Sequence, residues 1–160
     1  MKNPEHVYRL YLIKAKLDSF PKVIFQFKNL WDLNLSKNNL EEIPVEIGSL
    51  TSLQKLNVSN NKLVHVPQEI GQLTNLTYLG LNRNEIEELP STIGNLEKLE
   101  VLELWDNELK DVPDEISNLK NLKIIELRGI LFTEEQQQRI DGLVIKSAKL
   151  FMSPACNCKY

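Results

Sequence analysis

The chain has 160 residues, of which 42% are hydrophobic and 26% are charged, and this composition is ordinary for a folded domain with a buried core. Its formal net charge of −3 argues against nucleic-acid binding, which usually requires a basic surface. The sequence has no apolar run long enough to span a membrane, and Pro4, Glu5 and His6 stand where a signal peptide would be apolar.

The strongest feature of the sequence is an internal repeat of 23 residues. Prolines recur at this interval, and the pattern L-x-x-L-x-L-x-x-N-x-L occurs four times in register. Units this short cannot bury an apolar face alone, so the pattern predicts stacked coils with one continuous core. The asparagine column should be buried too, with each amide bonded to backbone groups of adjacent turns. These asparagines are Asn38, Asn61, Asn84 and Asn107.

In chain order, residues 7 to 29 are predicted to form an N-terminal capping repeat, because Ala15 replaces the asparagine there. Residues 30 to 121 hold four full repeats. Each full repeat combines a short strand of alternating inward and outward residues, an extended segment around its proline and a helical turn. Residues 122 to 132 form a terminal partial repeat, in which Ile130 stands where an asparagine would be.

Residues 133 to 160 are predicted to form a C-terminal cap and tail. Thr133 and Gln136 have the spacing of a capping box, so a helix of about two to three turns should follow, with Ile140 inward. Apolar residues alternate over 148 to 152, which favours a further extended segment. The tail thus completes a single-domain chain.

The repeat resembles that of the leucine-rich-repeat proteins over roughly residues 7 to 143. Its clearest copy ends Leu89-Pro90-Ser91-Thr92-Ile93-Gly94-Asn95-Leu96, which is similar to the 23-residue class of Ras-pathway scaffolds, plant intracellular repeat proteins and many bacterial proteins. The last coil, from Leu127-Arg128-Gly129, and the tail look most like bacterial members. The resemblance implies an α/β fold: a right-handed solenoid with a curved parallel β-sheet on its concave side, short helical or extended turns on its convex side and a C-terminal capping helix. It also implies a module that binds a protein or peptide.

The outward residues of the strands are the candidates for partner binding. Aromatic residues are unusually frequent among them, and aromatic and arginine side chains dominate interface hot spots. The alternative is that these rings pack over neighbouring strands. The residues predicted to bind the partner on the concave face are Tyr11, Trp31, Asn34, Lys55, Tyr78, Gly80, Glu103, Trp105, Glu126 and Arg128.

Gly80 is an unusual residue for a strand, because glycine has no side chain to pack there. The sequence predicts a dimple at this position, between Asn57 and Glu103, where a partner could approach closely. Alternatively, the ring of Tyr78 or Trp105 fills the space.

Two acidic residues, Glu103 and Glu126, should lie side by side on adjacent strands. Such a like-charge pair costs stability unless a nearby cation, Arg128 or Lys123, compensates for it. One hypothesis is that this corner, together with Trp105, receives a basic group of the partner.

The sequence contains no recognisable arrangement of catalytic groups. The only histidines are His6 and His65, neither of them beside a nucleophile, and no phosphate-binding loop or metal-ligand spacing occurs. Cys156 and Cys158 lack the further ligands of a zinc site, so we interpret them as two tail thiols. The sequence therefore predicts a non-enzyme with no cofactor.

The expected setting is the cytoplasm, because the N-terminal cap has no cysteines for disulfides, and glycosylation sequons at Asn34 and Asn57 would put sugar on the strand face. Secretion or surface exposure applies if a signal sequence was removed. The expected state is a monomer that contacts neither nucleic acid nor membrane. Two other functions remain open: a structural or regulatory fragment of a larger multidomain protein, or a secreted bacterial surface or virulence protein that binds host molecules.

Overall fold

The computed structural model describes residues 4–155, so the interpretation of Cys156 and Cys158 lies outside the described residues. Within this range, seven strands form one parallel sheet whose spatial order follows the sequence. The strands are β1 (Arg9–Tyr11), β2 (Asp32–Asn34), β3 (Lys55–Asn57), β4 (Tyr78–Gly80), β5 (Val101–Glu103), β6 (Ile124–Leu127) and β7 (Lys149–Met152). The described helices are α1 (Glu134–Leu143) and the 3₁₀ helices Pro4–His6, Lys22–Gln26, Val45–Ser49, Gln68–Gln72, Ser91–Asn95 and Asp114–Asn118.

The predicted stack of apolar columns forms the core. Each repeat pairs with the next in a register of 23 residues, so that Leu33 lies opposite Leu56 and Leu56 opposite Leu79. All three side chains are 0% exposed, while their strand neighbours on either side point outward. This alternation confirms the predicted half-buried strands and leaves one face of the sheet to solvent. We call that outward side of β1–β7 the sheet face.

Three asparagines of the column, Asn38, Asn84 and Asn107, are buried as the sequence predicted, and Asn61 is half-buried. The Asn84 amide donates to the carbonyl oxygens of Leu81 (2.8 Å) and Val58 (3.2 Å), and its Oδ1 accepts the N–H of Leu63 (3.1 Å). One side chain therefore closes its own turn and also ties that turn to the preceding coil. The residues that bridge in this way are Asn38, Asn61, Asn84 and Asn107.

The proline segments lie on the side opposite the sheet face and lead into the 3₁₀ helices. Pro67 is extended, with φ −69° and ψ 152°, and its carbonyl accepts the N–H of Ile70 at 3.1 Å. Proline fits because its fixed φ suits this segment and no ladder hydrogen bond is required there. Successive 3₁₀ helices approach so closely that a Cβ added to Gly71 would be 2.5 Å from the carbonyl oxygen of Thr92.

The N-terminal coil covers the end of the core only in part. The rings of Phe20 and Phe25 stack there with centroids 5.4 Å apart. However, Leu10, Leu12 and Leu17 are only partly buried, whereas their counterparts one coil later are 0% exposed. These leucines have a coil on only one side, so part of their surface remains accessible.

The C-terminal cap agrees with the sequence in detail. The Thr133 hydroxyl accepts the N–H of Gln136, and the Gln136 side chain accepts the N–H of Thr133 at 2.9 Å, which confirms the capping box at the start of α1. Ile140 on α1 and Ile130 in the last coil are both buried. The predicted extended segment is β7, which pairs in parallel with β6 and continues the sheet by one strand.

Candidate protein-binding face

Aromatic side chains on the sheet face are less exposed than the sequence predicted. Tyr11 is 53% exposed, but Trp31, Tyr78 and Trp105 are half-buried, so the expectation of four exposed rings is wrong for three of them. For the two indoles the reason is that an arginine packs over each ring, whereas the Tyr78 ring lies against Gly80. The guanidinium of Arg9 lies 4.2 Å from the Trp31 ring centroid, and Arg83 covers Trp105 at 4.5 Å.

Two tyrosine hydroxyls on the sheet face are bound to carboxylates. Tyr11 donates to Asp32 at 2.6 Å, and Tyr78 donates to Glu103 at 2.9 Å. Burial, reinforced by the hydrogen bond to Glu103, raises the pKa of Tyr78 far above its usual value. Both rings are therefore fixed in orientation, and their hydroxyl protons are already used.

The ring of Tyr78 also explains Gly80. A Cβ at Gly80 would be 2.7 Å from the Tyr78 hydroxyl oxygen and 3.1 Å from the Ser59 hydroxyl oxygen. The glycine is buried under that ring, so the alternative that Tyr78 fills the dimple is confirmed, and the expected close approach of a partner at Gly80 is wrong.

Ionisation of Tyr78 should make the fold less stable at high pH. The folded-state pKa lies above the unfolded value of 10, so this group's contribution is complete below pH 10 and is lost as the pH rises toward the folded pKa. Urea unfolding across this range should show a steeper loss of stability in the wild type than in Tyr78→Phe, which has no proton to lose. Equal slopes for the two proteins would contradict this assignment.

In the acidic corner predicted to receive a basic group, one of the two carboxylates is already paired with a cation. Arg128 donates from Nε and Nη2 to the two carboxylate oxygens of Glu126, at 2.8 and 2.6 Å, and Glu126 is only 7% exposed. Lys123 pairs with Glu100 at 2.8 Å instead. Arg128 therefore compensates the like-charge pair at Glu126, while Glu103 accepts only the neutral Tyr78 hydroxyl, and the binding of a basic group at Glu103 beside Trp105 stays a prediction.

Two depressions lie on or beside the sheet face. The first, of about 270 Å³, is lined by Tyr11, Asp32, Asn34, Lys55, Asn57 and Tyr78, and we call it the tyrosine depression. The second, of about 400 Å³, lies at the edge of the later repeats and is lined by Trp105, Asp106, Arg128 and Gly129. The structure thus separates the predicted site residues into an N-terminal group around Tyr11 and Tyr78 and a C-terminal group around Trp105.

A larger depression lies away from the sheet face and is the weaker candidate. It has about 600 Å³ and lies at the proline segment of the last full repeat, beside α1. Most of its charged groups are already paired, since Arg139 bonds to both Asp111 and Asp114 and to the carbonyl of Val112, and Lys110 pairs with Glu87. These contacts attach the capping helix to the repeats, and this role accounts for the residues that line the depression.

The repeat structure is matched by two family profiles. The "Leucine rich repeat" profile matches residues 5–63 and 29–86, and the "Leucine-rich repeat region" profile matches residues 68–134. The chain belongs to the leucine-rich-repeat family. No curated protein sequence matches this leucine-rich-repeat chain.

Solved leucine-rich-repeat structures superpose on the chain closely. A leucine-rich-repeat protein of Leptospira interrogans has a TM-score of 0.84 at 36% identity, over 92% of this chain and 37% of that one. A plant peptide hormone receptor, solved as a complex, has a TM-score of 0.70 at 30% identity, and the match covers 84% of this chain and 22% of that one. The leucine-rich-repeat ectodomain of an Arabidopsis thaliana receptor kinase, also solved as a complex, has a TM-score of 0.71 at 27% identity. That match covers 97% of this chain and 23% of the other. The chain therefore spans well under half the length of these proteins.

Within residues 4–155, no three His, Cys, Asp or Glu side chains are grouped so as to hold a metal ion. No helix in that range has the length and apolar character needed to cross a membrane.

Sequence reasoning did not select Arg9, Asp32 or Asn57 for the site. Asn57 follows Asn34 in the same outward column, and this register could have identified it. Arg9 and Asp32 belong to the column next to it and lie in register on β1 and β2. Their roles beside Trp31 and Tyr11 depend on side-chain conformations that the repeat pattern does not determine.

Proposed function

We propose that this leucine-rich-repeat domain is a protein-interaction module that binds a protein or peptide segment on its sheet face, the concave side of the solenoid. The observation that carries the proposal is the chemistry of the tyrosine depression. Side chains from β1–β4 converge there on an open hollow, and Lys55 has no ion-pair partner among residues 4–155. Elsewhere on the sheet face, Lys123 and Arg128 are paired.

The shape of the sheet face also favours a polypeptide ligand. Its strands are each three or four residues long and lie side by side in one register, about 4.8 Å apart, so they form a continuous surface across the coils. An extended segment lying across the strands could contact several coils at once. Two of the plant structures similar to this chain were solved as complexes, one of them of a peptide hormone receptor, and this supports a polypeptide partner.

We further propose that the domain acts by binding and not by catalysis. The tyrosine depression contains neither a histidine nor a cysteine, and its two tyrosine protons are donated to carboxylates. It therefore has groups suited to recognition and no activated nucleophile. A cytoplasmic setting remains part of the proposal, on the sequence grounds given above.

Selection from a displayed library of random linear peptides tests this function. The sheet variant combines Tyr11→Ala with Lys55→Glu, which removes one wall of the tyrosine depression and reverses its unpaired charge. Lys22→Glu is the matched control, because it makes the same charge change at an exposed residue of the 3₁₀ helix on the other side of the core. We expect selected peptides to bind the wild type with a Kd of about 10 µM, and the sheet variant at least about tenfold more weakly.

The control should bind the selected peptides within about twofold of the wild type, since a distant charge is screened by salt. Failure to select any peptide would contradict the proposal. Equal binding of every selected peptide by the wild type and the sheet variant would contradict it as well.

A further inference from the structure

The orientation of two amides decides which chemical groups the tyrosine depression offers. The Oδ1 of Asn34 accepts the N–H of Ser36 at 3.0 Å, and the Oδ1 of Asn57 accepts the N–H of Ser59, also at 3.0 Å. Both serines are buried, so each N–H needs this acceptor and holds the amide oxygen toward its own turn. The two NH₂ groups have no acceptor among residues 4–155 and remain available to a ligand.

The two amides are also correctly spaced to act together. Asn34 and Asn57 are direct partners in the register of β2 and β3. Side chains at paired positions of adjacent parallel strands lie about 4.8 Å apart, which lets one small acceptor group contact both NH₂ groups. The depression therefore has a pair of neutral hydrogen-bond donors in its floor.

A cation lies next to this pair. Lys55 precedes Asn57 on β3 by two residues, so both side chains point to the sheet face. In register, Lys55 stands between Asp32 on β2 and Tyr78 on β4, yet no carboxylate within residues 4–155 lies within 4.0 Å of its ammonium. Its charge is exposed and available.

Most acceptors that line the depression are already occupied. Besides the two amide oxygens, Asp32 Oδ2 accepts the Tyr11 hydroxyl at 2.6 Å, and Asp32 stands in register between the cationic residues Arg9 and Lys55. The Tyr78 hydroxyl donates away from the depression, to Glu103. The hydrogen-bonding groups left to a ligand are therefore mainly donors.

We propose that the tyrosine depression binds a carboxylate group carried by an extended segment of the partner. This inference rests on the proposed function and adds the chemistry of the ligand. The carboxylate oxygens accept from the Asn34 and Asn57 amides, and the Lys55 ammonium supplies the opposite charge, while the rings of Tyr11 and Tyr78 contact the aliphatic part of the ligand. Charge-assisted hydrogen bonds of this kind are stronger than those between neutral groups.

A pair of peptides that differ only in one carboxylate tests this proposal directly. The probes are acetyl-Ala-Ala-Glu-Ala-amide and acetyl-Ala-Ala-Gln-Ala-amide, titrated to about 10 mM into isotope-labelled protein. Proton–nitrogen correlation spectra report the side-chain NH₂ signals of Asn34 and Asn57. We expect the Glu peptide to shift both signals, with a Kd about fivefold lower than that of the Gln peptide. The Asn75 amide, which donates to the carbonyl of Thr51 at 2.9 Å, is the internal reference and should not shift.

Asn57→Asp is the decisive variant. The aspartate keeps an oxygen for the Ser59 N–H, so the fold should be retained, but it replaces the NH₂ donor with a second acceptor and adds negative charge. It should abolish the preference for the Glu peptide. Gln54→Glu is the matched control, since it adds the same charge to the same coil at an exposed position outside the depression. Lys55→Met should weaken Glu-peptide binding by about threefold and remove most of its salt dependence.

Three results would overturn the carboxylate site: no shift of the Asn34 and Asn57 signals, equal affinities for the two peptides, or full discrimination in Asn57→Asp. These results are separable from a failure of the interaction function. If library peptides bind the wild type and lose affinity for the sheet variant, the proposed protein-interaction function holds even when the proposed carboxylate preference fails.

Discussion

Replacing Asn84 with alanine is expected to lower the free energy of unfolding by about 3 kcal/mol. The Oδ1 of Asn84 accepts the N–H of Leu63, and its NH₂ group donates to two carbonyls in successive turns. Alanine leaves that N–H buried without an acceptor and creates a small void. An unsatisfied buried polar group costs about 1–3 kcal/mol, and the two lost donations add to that cost.

Urea unfolding followed by circular dichroism measures this effect. Asn95→Ala is the matched control, because Asn95 is exposed and its side chain makes no hydrogen bond within residues 4–155; we expect a change of at most about 0.5 kcal/mol. Combining Asn84→Ala with Asn107→Ala should cost more than the sum of the single changes, since the carbonyl of Leu81 then loses both amide donors. A cost for Asn84→Ala similar to that of the control would contradict the structural role assigned to this column.

Replacing Gly71 with alanine is expected to destabilise the protein by about 3 kcal/mol, at the upper end of the usual cost of overpacking. The new methyl group would be 2.5 Å from the carbonyl oxygen of Thr92 and 2.7 Å from its Cβ. These atoms belong to the next 3₁₀ helix, so they can yield only if successive coils separate. Separation would disturb the interface between neighbouring repeats, which supplies most of the stability of a solenoid.

Gly48→Ala provides the comparison within the same glycine column. There the methyl group would mainly meet the side-chain amide of Gln72, which is exposed and can rotate away. Alanine also reduces the conformational entropy of the unfolded chain, which partly offsets the remaining contact. Thermal unfolding should therefore show a change within about 1 kcal/mol for Gly48→Ala and a much larger loss for Gly71→Ala. Equal losses at the two glycines would contradict the backbone clash.

The repeat pattern predicted most of the fold because it recurs along the chain. A column such as Leu33, Leu56 and Leu79 can be buried only if identical coils stack in one register, so the periodicity specified both the strands and their order. The ends were predictable as departures from the pattern, and Thr133 with Gln136 gave the start of the capping helix. The degree of burial at the N-terminal end was not predictable, because it depends on how many neighbours each side chain has.

The candidate site was predicted only as a face of the sheet. Strand alternation correctly placed Tyr11, Asn34 and Lys55 outward, but it could not determine which rings are covered or which charges are paired. Trp31 and Trp105 lie under arginines, and Glu126 is held by Arg128. Each of these pairings involves long side chains with several rotamers, whose selection depends on neighbours in three dimensions.

The sequence by itself determined the solenoid, its register, the buried asparagine column and the helical cap, since each follows from residue type at a fixed spacing. Only the tertiary structure decided that Tyr78 fills the space above Gly80 and that the Asn34 and Asn57 amides present their NH₂ groups to solvent. The physical reason is that backbone periodicity determines only the position of each Cβ atom and the face of the sheet on which it lies. Competition among neighbouring donors, acceptors and rings determines the conformation of the side chain and the position of its terminal group, and recognition depends on those terminal groups.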